Sequence, residues 1–254
     1  MQVAVIQHDI VWCDRAANFE RLRPMIFQAA ESGARLVVLS ETYSTGFAVE
    51  NQDVAEPVDG PSSTFLAELA KQLGIWIAGS CLEQGDSSVD QRMVNTLVVA
   101  SPDGARQRYH KIHPFTYGGE AEHVRPGTQH VTMNIDDVRT SLFICYDLRF
   151  ADEFWAVAED TDMYIVPANW PVKRQHHWTS LLTARAIENQ AYVIGANRVG
   201  EGAKVAYGGE SMIIDPWGAT LAKAGDTEEI IYAEVNPEVV AETRSKFPFL
   251  PDRR

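Results

Sequence analysis

Apolar positions fall into short unbroken runs, and between those runs they recur at helical spacing. "VAVIQH" (3–8) is a β-branched run, and residues 18–34 then place Phe19, Leu22, Ile26, Phe27 and Ala30 on one helical stripe that stops at Gly33. "RLVVLSE" (35–41) has no polar alternation and predicts a strand buried on both faces. A helix over "SSTFLAELAKQLG" (62–74), capped by Ser62 or Ser63, and a strand over "IWIAGSCLE" (75–83) continue the alternation. Residues 92–109 predict two antiparallel strands joined by a Pro-Asp-Gly turn.

The same order then repeats. "TSLFICYD" (140–147), a helix from about Ala151, "DMYIVPANW" (162–170), the helical "HWTSLLTARAIENQ" (177–190) and "AYVIGANR" (191–198) alternate strand with helix. "GESMIIDPWGATLAK" (209–223) again carries a strand, a Pro-x-Gly turn and a strand, and "EEIIYAEVN" with a short helix closes the chain. The pattern predicts an α/β protein of two similar halves. No linker rich in Pro, Gly or Ser separates them, so one domain over residues 1–254, with two packed sheets and helices outside, is expected. The tail "KFPFLPDRR" reads either as a loose terminus or as a segment packed on a second subunit.

The chain has 254 residues with 35 acidic and 22 basic side chains, a formal net charge of −13. That balance argues against nucleic acid and anionic membranes as partners, because both are recognised by clustered Lys and Arg, and a small-molecule substrate fits better. No run reaches membrane-spanning length. "MQVAVIQHDIVW" reads directly as a strand and not as a secretory signal, and Cys13, Cys81 and Cys145 make no closely spaced even set. Reduced thiols in the cytoplasm are expected. HExxH and paired CxxC spacings are missing, so neither a metal nor another cofactor is expected.

Cys145 ends an apolar run, and "YDLRF" leads quickly into a helical pattern, which would set its sulfur on a sharp strand-to-helix turn. For one cysteine alone a buried structural role is the better expectation. Glu41 and Lys111 each follow a strongly apolar segment directly, in "VVLSETYSTGF" and "YHKIHPF", where an uncompensated charge is costly. Either alone reads as a strand-end residue facing water.

Together, "SETYSTGF", "YHKIHPF" and "ICYDLRF", in that order and spacing, resemble the Glu-Lys-Cys motifs of the nitrilase, or carbon–nitrogen hydrolase, superfamily. The resemblance runs through "LLTARAIENQAYVIGANRVG" and "GGESMIIDPWGATLAKAG", and "ICYDLRF", "ARAIENQ" and "FPFLPDRR" are similar to the ω-amidase and small-amidase branch. It implies a four-layer αββα sandwich with internal pseudo-twofold halves, commonly paired as a homodimer or built into larger assemblies. It also implies hydrolysis of a small carboxamide through a thioester on Cys145. Glu41 would be the general base, Lys111 the support for the oxyanion together with the Tyr146 N–H, and Glu120 a second glutamate orienting the substrate amide, with Glu122 as its alternative. Tyr117, Tyr146, Asn169 and Trp170 would line the pocket, whereas Arg149 and Arg185 would pair internally with Asp147 or Glu188. Ser40 and Pro114 depart from the residues usual beside the glutamate and the lysine. A nitrilase acting on a small nitrile, or a binding protein that kept the fold and lost catalysis, are the competing readings.

Overall fold

A computed structural model describes residues 1–85, 88 and 90–253; Arg254, the last residue of the predicted tail, lies outside the described residues. Among the described residues fourteen strands follow in chain order: β1 Gln2–Gln7, β2 Leu36–Val38, β3 Trp76–Glu83, β4 Val94–Ala100, β5 Arg106–His110, β6 Thr132–Ile135, β7 Val138–Leu142, β8 Met163–Pro167, β9 Tyr192–Ala196, β10 Val199–Gly202, β11 Val205–Gly208, β12 Met212–Ile214, β13 Thr220–Lys223 and β14 Glu229–Glu234. Six α-helices accompany them: α1 Arg15–Glu31, α2 Pro61–Leu73, α3 Glu120–His123, α4 Ala151–Ala156, α5 Gln175–Asn189 and α6 Pro237–Lys246.

The strands form two six-stranded sheets, ordered β14-β1-β2-β3-β4-β5 and β13-β12-β9-β8-β7-β6, plus the β10–β11 hairpin. In the first, β1, β2 and β3 run parallel and are flanked by antiparallel β14 on one side and β4–β5 on the other. In the second, β7, β8 and β9 run parallel between antiparallel β6 and β12–β13. The two sheets therefore share one topology, which is the predicted repeat in three dimensions.

Alternation along each strand explains the layering. Val3, Val5, Leu36, Val38, Leu97 and Val99 of the first sheet share a core with Leu142, Tyr164, Val166 and Ile194 of the second. Their neighbours Ala4, Ile6, Val37, Leu39, Ile77 and Val98 point the other way, onto Leu22, Ile26 and Ala29 of α1 and Phe65, Leu66 and Leu69 of α2. Trp178, Leu182 and Ala186 of α5 cover the second sheet in the same manner. The result is the four-layer αββα sandwich. Among the described residues no helix is long and apolar enough to cross a membrane.

Some local expectations change. α2 starts earlier than predicted, at Pro61 with Gly60 as its N-cap residue, so Ser62 and Ser63 are buried within the helix and cap nothing. The Glu56 carboxylate supplies the cap instead, accepting from the Ser62 N–H at 2.7 Å. α1 is capped by Asp14, which accepts from the Ala17 N–H at 3.0 Å. The tail is not loose: Arg253 donates to the Trp155 carbonyl at 3.0 Å and the Glu188 carbonyl at 3.1 Å, holding it against α4 and α5.

Candidate active site

In an α/β sheet, ligands gather where parallel strands end, because chains diverge there and leave space. Glu41 lies three residues beyond β2, Cys145 three beyond β7, and Asn169 two beyond β8. Lys111 directly follows β5, the outer strand of the first sheet. All four meet at one end of the sandwich.

Lys111 is fully buried, and its Nζ lies 2.8 Å from Glu41 Oε1 and 2.8 Å from Glu120 Oε2. Glu120 opens α3 and is equally buried, while Glu122 faces outward, so the structure separates these two candidates. Asn95, the second residue of β4, donates to Glu41 Oε1 at 2.9 Å and to Glu120 Oε1 at 3.2 Å. Across from it, the Asn169 N–H donates to Glu41 Oε2 at 2.9 Å, and Asn169 Nδ2 to the Glu41 carbonyl at 2.7 Å. Phe115 N–H also donates to Glu120. Each carboxylate oxygen has a donor, which is the condition for keeping two carboxylates and one ammonium out of water.

The electrostatics follow from burial and these partners. Burial opposes charge on Lys111, but Glu120 and Glu41 outweigh it and hold the ammonium well above its ordinary range. Burial pushes the Glu120 carboxyl up, against the pull of Lys111. Burial first, and then the charge of Glu41, push the Cys145 thiol well above its usual value, with Lys111 drawing it down. The resting form of Cys145 is therefore the thiol.

Cys145 has the backbone its sequence predicts for a sharp turn. Its φ of 45° lies in the left-handed region, and one turn of 3₁₀ helix, Cys145–Arg149, follows it into α4. Such a conformation costs a residue with a Cβ on the order of 1–3 kcal/mol, so it persists only where surrounding contacts fix it.

The thiol opens onto a cavity of about 480 Å³. Tyr117, Tyr146, Asn169 and Trp170 all line it; Tyr117 is 88% exposed on the rim, and Trp170 is buried as well as wall-forming. Trp170 Nε1 donates to the Arg174 carbonyl at 2.8 Å, which fixes the ring.

The predicted internal ion pair is present at Arg185, whose Nη1 reaches Glu188 Oε1 at 2.7 Å, and not at Arg149. Asp147 faces the opposite way, toward Tyr109 and the backbone of Ile144 and His113. Arg149 instead lies over the Trp170 ring at 4.7 Å and lines the cavity. Arg174, Lys173 and Lys204 line it too, and among the described residues none of these four cations has a carboxylate partner. Among the described residues no Asp or Glu contributes to that wall, so in a chain of net charge −13 its charged side chains are all cations.

Three participants escape a reading of the sequence. Asn95 has a weak signal, as a lone amide in the otherwise apolar "VNTLVVA". Tyr207 sits on β11, part of a hairpin that the apolar pattern does not announce, and its ring rests on the buried Arg198 guanidinium at 4.6 Å. Tyr207 lines the cavity. Arg198 is fixed by Asp9 at 2.8 Å, so the second half's hairpin is anchored on the first half's β1 end.

Known proteins show the same arrangement of chain. The sequence matches the carbon–nitrogen hydrolase family over residues 2–245. It is 34% identical over 258 residues to the 2-oxoglutaramate amidase of Bacillus subtilis, covering 99% of this chain and 97% of that protein. It is 35% identical over 255 residues to the ω-amidase YafV of Escherichia coli K12, covering 99% and 96%. Among solved structures, a CN-hydrolase superfamily protein of Xanthomonas campestris, determined with an arsenic adduct in its active site, superposes with a TM-score of 0.94 at 32% identity, covering 100% of this chain and 97% of that one. Nit3 of Saccharomyces cerevisiae, a member of the nitrilase superfamily, gives a TM-score of 0.87 at 30% identity over 98% of this chain and 94% of its own.

Proposed function

The chain belongs to the carbon–nitrogen hydrolase family, and from that premise we propose that it is an amidase hydrolysing the terminal amide of a small carboxylic acid, of the 2-oxoglutaramate kind, to the acid and ammonia. The observation that carries the chemistry is the buried Lys111, clamped at 2.8 Å by Glu41 and by Glu120 behind the Cys145 thiol. The substrate class rests on the unpartnered cations of the cavity wall and on the activities named for the relatives.

In this reading the Cys145 proton passes to Glu41 as the sulfur attacks the amide carbon. The tetrahedral oxyanion is met by Lys111 Nζ and the Tyr146 N–H, where a fixed positive charge in a dry site is most effective. The C–N bond breaks as Glu41 returns a proton to the leaving nitrogen, which departs as ammonia and leaves a thioester. Glu41 then takes a proton from water, which attacks the thioester and releases the acid and the thiol. Asn95 and Asn169 hold Glu41 in place throughout, and Glu120 keeps Lys111 aligned. Arg149, steadied by Trp170, takes the carboxylate at the far end of the substrate.

The test is ammonia release from three compounds of equal length: the 2-oxo dicarboxylic acid monoamide, the amide without its carboxylate, and the corresponding nitrile. The charged amide is expected to be turned over best. In Arg149→Gln, kcat/KM should fall about 30-fold for the charged amide and stay near the parent value for the uncharged one, as expected for one lost charge-assisted hydrogen bond. Hydrolysis of the nitrile alone sinks the amidase reading; equal losses on both amides sink the role of Arg149.

A further inference from the structure

Asp147 takes no part in the chemistry outlined above, yet it touches both sides of the site. It is completely buried. Its Oδ2 accepts from the Tyr109 hydroxyl at 2.8 Å and from the Ile144 N–H at 2.9 Å, and its Oδ1 accepts from the His113 N–H at 2.8 Å. The Tyr109 oxygen in turn accepts from the Ile112 N–H at 3.3 Å. Ile144 immediately precedes Cys145, whereas Tyr109, Ile112 and His113 bracket Lys111. One carboxylate thus ties the strand end that carries the thiol, in the second sheet, to the segment that carries the cation, in the first.

The turn itself depends on the same residue. Cys145 holds its left-handed φ of 45° between the Ile144 N–H bond to the Asp147 carboxylate and the Asp147 N–H bond back to the Ile144 carbonyl at 3.0 Å. These two bonds close the loop around the nucleophile from both ends.

We propose that Asp147 is a positioning residue, whose carboxylate fixes the Cys145 thiol against Lys111 so that attack and oxyanion stabilisation share one geometry. The inference rests on the roles given to Cys145 and Lys111 above. Every group facing the side-chain oxygens of Asp147 is a donor, and an ionised carboxylate, which only accepts, satisfies all of them. An amide of the same size does not. Whichever way an asparagine turns, its NH₂ meets an N–H, and either the link to the cysteine turn or the link to the lysine segment is broken.

The experiment compares the full-length parent with Asp147→Asn and Tyr109→Phe. It measures kcat and KM for the charged amide and, without substrate, the rate at which iodoacetamide modifies Cys145, followed on its own peptide by mass spectrometry so that Cys13 does not interfere. Asp147→Asn is expected to lower kcat about 100-fold, as a misplacement of an ångström does, with KM within about twofold. Its Cys145 should be modified about tenfold more slowly. Tyr109→Phe removes one donor and leaves both N–H links, so a loss of about three- to tenfold in kcat is expected. A residue that only braces the fold predicts a different pattern: a lower melting temperature, unchanged kcat in the folded protein and faster modification of a loosened Cys145. That pattern, or a folded Asp147→Asn with kcat within twofold of the parent, overturns the proposal. Should Asp147→Asn not fold, an unchanged kcat in Tyr109→Phe overturns it equally. If the parent releases no ammonia from the amide, the functional reading fails by itself, and the modification rates still decide the positioning.

Discussion

His8 and Cys145 stand at matching points of the two halves. Val5 pairs with Val38 in β2 as Leu142 of β7 pairs with Ile165 in β8, and the third residue beyond each pair is His8 in one half and Cys145 in the other. The next strands match in the same way: three residues past Val38 is Glu41, three past Ile165 is Ala168, with Asn169 beside it. One topology therefore brings four strand ends to one place and fills them unequally. The first half holds the carboxylate and the cation; the second holds the thiol and the amide that orients the carboxylate. His8, at the point that matches Cys145, is fully buried, with Nε2 3.2 Å from the Tyr43 carbonyl and Nδ1 without a hydrogen-bond partner among the described residues. The difference teaches that the fold supplies positions, and that chemistry needs the asymmetric contents of those positions.

The strongest way to break this comparison is to empty one of the matched positions at a time. Cys145→Ala should lower ammonia release by about 10⁴-fold or more, the scale of removing a nucleophile from a unit that works together, with a melting temperature near that of the parent. His8→Gln should keep kcat within about threefold. Turnover that survives Cys145→Ala moves the chemistry away from the second half's strand end.

A finer test is at Asn169, the second half's reply to Glu41. Asn169→Ala leaves its N–H on Glu41 Oε2 but removes the Nδ2 bonds to the Glu41 carbonyl and to Thr42 Oγ1 at 2.8 Å. Freed buried acceptors and a looser carboxylate should cost about 2 kcal/mol, or about 30-fold in kcat, with little change in KM. A KM effect with kcat preserved makes Asn169 a substrate contact and not a support for Glu41.

Much of this was legible in the chain, for physical reasons that differ from residue to residue. β1, β2, β8 and β9 are almost wholly buried, so their apolar runs needed no tertiary information to be read. Glu41 and Cys145 stood out because each follows such a run with a group that water would otherwise keep, whereas Lys111 follows the polar β5 and was legible through the phrase "YHKIHPF". Arg149 misled, since a neighbouring Asp147 in sequence suggests an ion pair. The turn at Cys145 points their side chains to opposite sides, one into the core and one into the cavity. Asn95 acts through Glu41 and Glu120, 54 and 25 residues away, and local pattern carries no record of that. Ser62 lost its capping role to Glu56 for the same reason: the decisive partner lies outside the helical window.

The two strand ends also titrate in opposite directions, which gives the smallest and most discriminating test. Burial lowers His8 from an ordinary 6.5 to about 4, with the Tyr43 carbonyl bond opposing the change. The unfolded chain therefore takes up a proton that the folded one refuses, and stability falls as pH drops from 6.5 toward 4. Burial pushes Asp147 up from 3.8 to about 6, against its Ile144 N–H donor. Here the folded protein takes the proton first, so stability rises as pH drops through 6 toward 3.8. Between pH 7 and pH 5 the first effect removes about 2 kcal/mol and the second adds about 1 kcal/mol, leaving a shallow net loss from these two groups. Single variants should separate them. In His8→Gln the loss of about 2 kcal/mol disappears from the difference between urea midpoints at the two pH values, and in Asp147→Asn the loss deepens by about 1 kcal/mol. Because every other titrating group is common to parent and variant, it cancels in the comparison. A parent and a His8→Gln protein with identical pH dependence mean that His8 is not held neutral in the fold, and the two halves then do not differ at this position in the way their burial implies.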